Sequence, residues 1–165
     1  MAENKLVFLK TAFPGYQVSF SDDFTEAMIA NPLYEENITV YYEEEYDFEP
    51  FIARFSFQHG HFESEEDVIA WVSEIIAGRT LAIEFFRNDQ RCFGGEIEAE
   101  KLQELSYTML ERFTGYYGGT KLWEVADSFK IRGWDKKNDM DVALVSAPDG
   151  TVTLREICAG STEKV

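Results

Sequence analysis

The chain has little of what several protein classes require. Its 165 residues include only two cysteines, two histidines and four prolines, and 15 basic residues stand against 31 acidic ones. Cys92 and Cys158 form no CxxC pair, so a thiolate metal site is not expected. Their apolar neighbours predict small buried side chains. A disulfide between them stays an open alternative, because the sequence does not give the distance between the two sulfurs.

Long hydrophobic runs are also missing. The longest uninterrupted apolar stretch, residues 68–72, is far shorter than the ~20 residues that cross a bilayer. The N-terminus lacks the basic and apolar regions of a signal peptide, and an anionic membrane surface would repel so acidic a chain. We therefore expect a cytoplasmic protein without a membrane partner.

The shortage of basic residues bears on nucleic acids. Binding to phosphates needs a patch of lysine and arginine. The nearest approach to such a patch is a group of four bases that three nearby aspartates offset, namely Lys130, Arg132, Lys136 and Lys137 against Asp135, Asp139 and Asp141. We expect no direct contact with nucleic acid.

Recognised catalytic motifs are absent, which favours a non-catalytic protein. A general acid needs an apolar pocket that raises its pKa. Glu84 has the most apolar sequence neighbours of any acid, but strand alternation places it opposite Ile83 and Phe85 and predicts that it faces solvent. No carboxylate is therefore assigned a catalytic role.

The hydrophobic pattern predicts an α+β fold: a mainly antiparallel sheet built from hairpins, two long amphipathic helices and one short helix. The first long helix begins after the N-cap Ser64 and ends at Gly78. The second covers Ala99–Phe113. The short helix starts at Ser21 and closes before Asn31.

The other segments have the alternation or turn residues of strands. Residues 87–90 predict a turn between two strands, residues 122–131 predict one bent strand or two, and 148–150 predict a hairpin turn. The order is a threefold ββα rhythm followed by further strands. No stretch has the composition of a linker, so we predict one domain over residues 1–160 and a short tail at 161–165.

The negative charge is concentrated in one third of the chain. Residues 21–78 contain fifteen acidic residues and a single base, Arg54, so almost all of the excess charge of −16 lies there. Two interpretations stay open, a solvated face that keeps the protein soluble and a surface that binds a basic partner. Close carboxylates repel one another by ~4 kcal/mol per pair at an effective dielectric near 20, a cost that a chain needing only solubility could avoid.

Tyrosines are interspersed among these acids between residues 41 and 49. Tyrosine is enriched in interface hot spots and stacks on arginine, although the same rings could simply cover the core at an edge hairpin. We predict that a basic protein partner docks here, on Tyr41, Tyr42, Glu43, Glu44, Glu45, Tyr46, Asp47 and Glu49. In composition the chain resembles bacterial immunity proteins and other small acidic inhibitors that cap basic nucleases. This resemblance of charge implies an inhibitor or immunity-type role.

The segment from His59 to Glu63 offers an alternative of another class. In an extended segment the side chains of His59, His61 and Glu63 project to one side, and two imidazoles with one carboxylate can form a catalytic zinc site. A simple strand-to-helix connection ending at the Ser64 cap explains the same residues without a metal. The alternatives to the binding protein are thus a metal-dependent enzyme at this triad, with a divalent metal as its only cofactor, and a small-ligand module lined by phenylalanines.

Overall fold

Buried and exposed side chains alternate along most strands, and each half of the chain forms its own five-stranded antiparallel sheet. The computed structural model describes residues 4–46, 48–117 and 120–157, with the backbone alone at 115–117. The chain divides into two compact units, Met1–Thr80 and Leu81–Val165. A single domain over residues 1–160 stays a prediction. The predicted tail lies outside the described residues.

The first unit is an antiparallel meander with helices packed on one face. Its elements are α1 Phe8–Ala12, β1 Val18–Phe20, β2 Glu26–Ile29, β3 Ile38–Tyr42, β4 Phe51–Phe55, β5 Gln58–Phe62 and α2 Glu65–Ile76. The strands are ordered β1-β2-β3-β4-β5, so each pairs with its neighbour in sequence. Helix α2 packs against β4, β5 and α1. The buried side chains of the central strands include Val40, Ala53 and Phe55.

The register of this meander brings distant acidic segments to one end of the sheet. Because Glu26 pairs with Tyr41 and Tyr42 pairs with Phe51, the β1–β2 turn (21–25) and the β3–β4 loop (43–50) lie at the same end. The Tyr42 N–H donates to the carbonyl of Thr25 at 2.9 Å and ties the two segments together. Phe62 also pairs with Phe51, so β5 finishes there and Glu63 follows directly. We call this the acidic end: residues 21–25, the described residues of 43–50, and Glu63.

Helix α2 confirms the first predicted helix. The side chain of Ser64 caps it by accepting a hydrogen bond from the Asp67 N–H at 3.2 Å, and three acids occupy the first turn. Val68, Val72 and Ile75 are fully buried, as the helical spacing predicts. Gly78 follows the helix with a φ of 68°, the left-handed conformation that favours glycine.

The second unit is a sheet partly covered by short helices. Its elements are β6 Thr80–Arg87, β7 Gln90–Glu98, a 3₁₀ helix Ala99–Glu104, α3 Tyr107–Leu110, a 3₁₀ helix Glu111–Tyr117, α4 Leu122–Val125, β8 Ser128–Arg132, β9 Met140–Ser146 and β10 Val152–Glu156. The strand order is β10-β9-β8-β6-β7. The predicted turns are confirmed: Asn88 and Asp89 have φ values of 50° and 61°, and Gly150 has a φ of 85° in the last hairpin.

The second long helix is not formed as predicted. Residues 99–117 contain a 3₁₀ helix, the four-residue α3 and a second 3₁₀ helix. The break falls at Leu105, whose ψ of 117° is extended, and at Ser106, whose side chain accepts from the Met109 N–H and starts a new helix. A serine that caps locally competes with continuation of the preceding helix. The finding is a mixed α/β fold with two antiparallel sheets and few helices.

Other predicted elements are corrected as well, and the segment Lys5–Lys10, predicted as a strand, enters the helix α1 Phe8–Ala12 instead. The short helix from Ser21 is absent, because Ser21–Thr25 form a turn and the alternately buried residues Glu26–Ile29 form β2. Phe24 in this turn has a φ of 60°, which an α-helix does not accommodate. Residues 122–131 contain α4 followed by β8 rather than strand alone. The threefold ββα rhythm is therefore not found.

Burial on the second sheet departs from simple alternation. Five consecutive β6 residues, Leu81–Phe85, are buried, and Glu84 is only 3% exposed where alternation predicted a solvent-facing side chain. Cys92 on β7 is exposed and has a free thiol, so its predicted burial is wrong. Cys158 lies outside the described residues. Within the described ranges no helix combines the length and apolar character needed to span a membrane.

The cap of α2 provides a test of the local energetics. Replacing Ser64→Ala removes the acceptor of the Asp67 N–H and should lower the free energy of unfolding by about 1 kcal/mol. Ser73→Ala in the same helix is the matched control, because alanine favours a helix interior and the Ser73 hydroxyl donates only to the carbonyl of Ile69. Urea unfolding measures the free energy of unfolding of both variants. If Ser64→Ala were as stable as Ser73→Ala, the capping role of Ser64 would be contradicted.

Candidate binding surface at the acidic end

An open groove occupies the acidic end of the first sheet. It has a volume of about 780 Å³, and its lining comes from three chain segments: Lys5, Asp23, Phe24, Thr25, Tyr42, Glu43, Glu44 and Glu45. A second groove of about 290 Å³ is lined by Glu45, Tyr46, Phe48 and Glu49. Because Glu45 lines both, the two grooves are neighbours along the β3–β4 loop. Together they hold five carboxylates and one described base.

The β1–β2 turn fixes one of these carboxylates. Oδ1 of Asp23 accepts hydrogen bonds from the Ser21 hydroxyl at 2.7 Å, the Thr25 hydroxyl at 2.9 Å and the Thr25 N–H at 3.2 Å. These donors, the Ser21 hydroxyl first, lower the pKa of Asp23 below its ordinary value. Asp23 is therefore held as an anion, and the turn presents its charge in one orientation.

Apolar rings are exposed between the carboxylates. Phe48 is 86% exposed, Tyr46 51% and Phe24 40%. An exposed phenylalanine side chain contributes little to the stability of the fold, because it is not buried in the core. Moving such a side chain from water into a protein interface makes the free energy of binding more favourable by roughly 1.5–3 kcal/mol. Exposed rings rimmed by charge are typical of surfaces that contact other proteins.

The predicted docking residues fall on different parts of this region. Glu43, Glu44, Glu45, Tyr46 and Glu49 are all exposed and line one or both grooves. Tyr41 and Tyr42, being consecutive on β3, point to opposite faces of the sheet.

The two tyrosines accordingly have different neighbours. Tyr42 lines the larger groove and contacts Phe51, with ring centroids 5.4 Å apart. Tyr41 carries the guanidinium of Arg54 over its ring at 5.5 Å. Asp47, the remaining predicted residue, lies outside the described residues.

Four ion pairs of the described residues lie away from the groove carboxylates: Arg79–Glu74, Lys101–Glu100, Lys121–Glu111 and Arg132–Asp141. Glu74 and Asp67, two other acids of segment 21–78, are engaged away from the grooves, Glu74 with Arg79 and Asp67 with the Ser64 hydroxyl at 2.6 Å. The groove carboxylates therefore combine into a local negative field that a basic group would meet first.

The predicted metal triad is not assembled. His59 and His61 lie on the exposed face of β5, with ring centroids 5.3 Å apart. In residues 4–46, 48–117 and 120–157 no three His, Cys, Asp or Glu side chains are grouped so that they could hold a metal ion. Glu63 follows the strand rather than continuing it, so the alternation on which the triad depends ends at Phe62. The triad is thus corrected to a pair of histidines.

Four residues that line the larger groove are outside the predicted docking set: Lys5, Asp23, Phe24 and Thr25. The last three reach the groove because the β1–β2 turn lies beside the β3–β4 loop, and Lys5 comes from the N-terminal segment. The segment 21–25 contained one usable signal, since Ser-x-Asp-x-Thr carries the side chains of a tight polar turn. That signal favours a hairpin over the helix that was predicted.

The hydrogen bonds of Asp23 in the β1–β2 turn can be tested by titration. In the wild-type protein the pKa of Asp23 should lie below its ordinary value, and Ser21→Ala should raise it by removing the strongest donor. Because the folded pKa is the lower one, the carboxylate stabilises the fold above the unfolded aspartate pKa of about 3.9, and this contribution is lost as the pH falls through the folded pKa.

Carboxyl-carbon NMR as a function of pH measures this shift. Asp149, whose pKa is lowered by its own hydrogen bonds from Thr151, serves as the internal reference that Ser21→Ala should leave unchanged. An Asp23 pKa that is the same in both proteins would contradict the assigned hydrogen bonds.

Comparisons with known proteins found no relative of this chain. The chain matches no protein-family model, no curated protein and no solved structure.

Proposed function

We propose that this protein is a non-catalytic binding protein whose acidic end docks a basic protein partner. The observation that carries the proposal is the meeting of Asp23 with Glu43, Glu44 and Glu45 in one open groove, although they lie about twenty residues apart in the chain. Self-repulsion among these charges is relieved when a basic group enters the groove. We add two more specific proposals, a cytoplasmic location and an inhibitor or immunity-type role. Both rest on the sequence alone.

The charges support fast and selective association. A concentrated field of one sign steers an oppositely charged partner and can raise its association rate by roughly 10- to 1,000-fold at low salt. The five carboxylates of the two grooves lie at one end of one sheet, so they act on an approaching partner from one direction. A surface that served only solubility would gain nothing from this arrangement.

The aromatic residues support the second step of binding. After the encounter, water must leave the contact, and rigid rings supply apolar area at a small cost in side-chain entropy. Phe48, the most exposed large hydrophobic residue described, lines the second groove beside Glu45 and Glu49. A standard interface of roughly 800 Å² per partner would cover both grooves.

The alternatives have less support. A metal-dependent enzyme at His59, His61 and Glu63 lacks the third ligand of its triad within the described residues. A ligand module lined by phenylalanines would require an enclosed apolar cavity, whereas the two grooves at the acidic end are open and lined mainly by charged and polar side chains.

Salt dependence tests the electrostatic part of the proposal. The probe is a lysine- and arginine-rich peptide, with an acidic peptide of equal length as the negative control. Raising the ionic strength from about 0.01 M to about 0.15 M shortens the Debye length from about 30 Å to about 8 Å and should slow association with the basic peptide roughly tenfold. Biolayer interferometry measures the rates.

A matched pair of triple variants locates the effect. Glu43→Gln/Glu44→Gln/Glu45→Gln should reduce both the association rate at low salt and its salt dependence. Glu98→Gln/Glu104→Gln/Glu156→Gln removes the same charge from exposed positions of the second unit and should retain most of the wild-type rate. Equal losses in the two variants would mean that only net charge matters and would refute a docking site at the acidic end.

Replacing Phe48 tests the contribution of the aromatic residues to the proposed binding. Phe48→Ala should change the free energy of unfolding by less than about 0.5 kcal/mol, since the ring is exposed, while weakening peptide binding by about 1 kcal/mol or more. The control is Phe57→Ala, an exposed ring in the β4–β5 turn at the opposite end of the sheet, which should leave binding unchanged. Equal affinities of wild type and Phe48→Ala would exclude Phe48 as an anchor.

A further inference from the structure

The two histidines of this chain are neighbours on one face of β5. His59 and His61 are two residues apart on a strand, so both project to the same side, and both are exposed. Their ring centroids are 5.3 Å apart with an interplanar angle of 67°. They are the only histidines in the sequence, so all of its imidazole chemistry lies at this one place.

This spacing suits two rings that share one ion. With metal–nitrogen bonds of about 2.0–2.1 Å and a tetrahedral angle at the metal, two bound imidazoles have their centroids about 5 Å apart. The observed separation agrees with that value without movement of the strand. We propose that His59 and His61 form a two-histidine chelate for a divalent transition metal ion of the zinc, nickel or copper type.

The surroundings of the pair accommodate a cation. Arg54 is directly across from His59 in the sheet, but its guanidinium lies over the ring of Tyr41 on β3, the neighbour of β4 on the side away from β5. Tyr46 of the β3–β4 loop lies beside His61. The two rings meet edge to face, with their centroids 6.4 Å apart. Glu45 precedes Tyr46 in that loop, so the acidic end adds a negative field close to the pair.

The donor set determines which ions bind. Imidazole nitrogen suits zinc, nickel and copper, whereas magnesium and calcium prefer oxygen ligands. Two protein ligands leave at least two positions for water or for a donor from another molecule, unlike the four protein ligands of a closed structural zinc site. The site would thus hold an accessible ion at the edge strand, next to the proposed docking surface but formed by different residues.

Calorimetric titration of the full chain with zinc chloride tests the proposal, in the presence of excess magnesium chloride to occupy the carboxylates. We expect one zinc ion per chain. His59→Gln and His61→Gln should each weaken binding by roughly 100-fold, because the second nitrogen of a chelate binds at a high effective concentration. Both side chains are exposed, so glutamine preserves the fold and a polar surface.

NMR of the imidazole resonances provides an independent readout. Zinc should shift the signals of both rings together, and their assignment is simple because the chain has no other histidine. Glu43→Gln/Glu44→Gln/Glu45→Gln should keep zinc affinity within about tenfold of wild type, since these carboxylates contribute field rather than ligands.

Three results would overturn the proposal: wild-type zinc affinity in either histidine variant, a shift of only one ring or neither, and loss of zinc binding in the triple glutamate variant alone. The last result would place the ion in the acidic groove instead. None of these measurements involves a protein partner, so the outcome is independent of the proposed docking function.

Discussion

The antiparallel register of the first sheet is the constraint on which the candidate surface depends. In a meander of five strands, every second connection lies at the same end, whatever the residues in between. The β1–β2 turn and the β3–β4 loop are two such connections, and β5 finishes beside them. Shifting one strand by a single residue would move its buried side chains to solvent, so burial of Val40, Ala53 and Phe55 fixes this register.

The acidic end combines carboxylates that repel one another with aromatic rings that are exposed to solvent. Carboxylates brought together by a fold repel one another, and the hydrogen bonds around Asp23 hold its charge in place rather than neutralise it. The β3–β4 loop exposes Tyr46 and Phe48 in the same region. Stability is gained in the sheet beneath, where the apolar side chains are buried, and the loops above it remain available for binding.

The first unit therefore carries two chemistries that do not share residues. The carboxylates attract positive charge over several ångströms, and the imidazoles of His59 and His61 offer nitrogen ligands at a fixed spacing. Tyr46 contacts His61 and belongs to the β3–β4 loop, so it connects the two regions physically.

Short-range features of the fold were predictable from the sequence, because the interactions that decide them are local. The Ser64 cap and the glycine after α2 bound that helix, and the turn at residues 88–89 follows from adjacent polar residues. Local competition also explains a failure: Ser106 starts a new helix where the apolar spacing predicted one continuous helix. Burial of Glu84 was unpredictable because it depends on what covers the second face of its strand.

The composition of the surface and its position have different origins. The sequence by itself determined that one third of the chain is acidic, that tyrosines lie among the acids near residue 45, and that the two histidines are two residues apart. Only the tertiary structure decided that Asp23 joins Glu43, Glu44 and Glu45 in one groove, and that no third ligand is grouped with the two histidines among the described residues. The reason is that strand pairing joins residues far apart in the chain, while periodicity describes only neighbours.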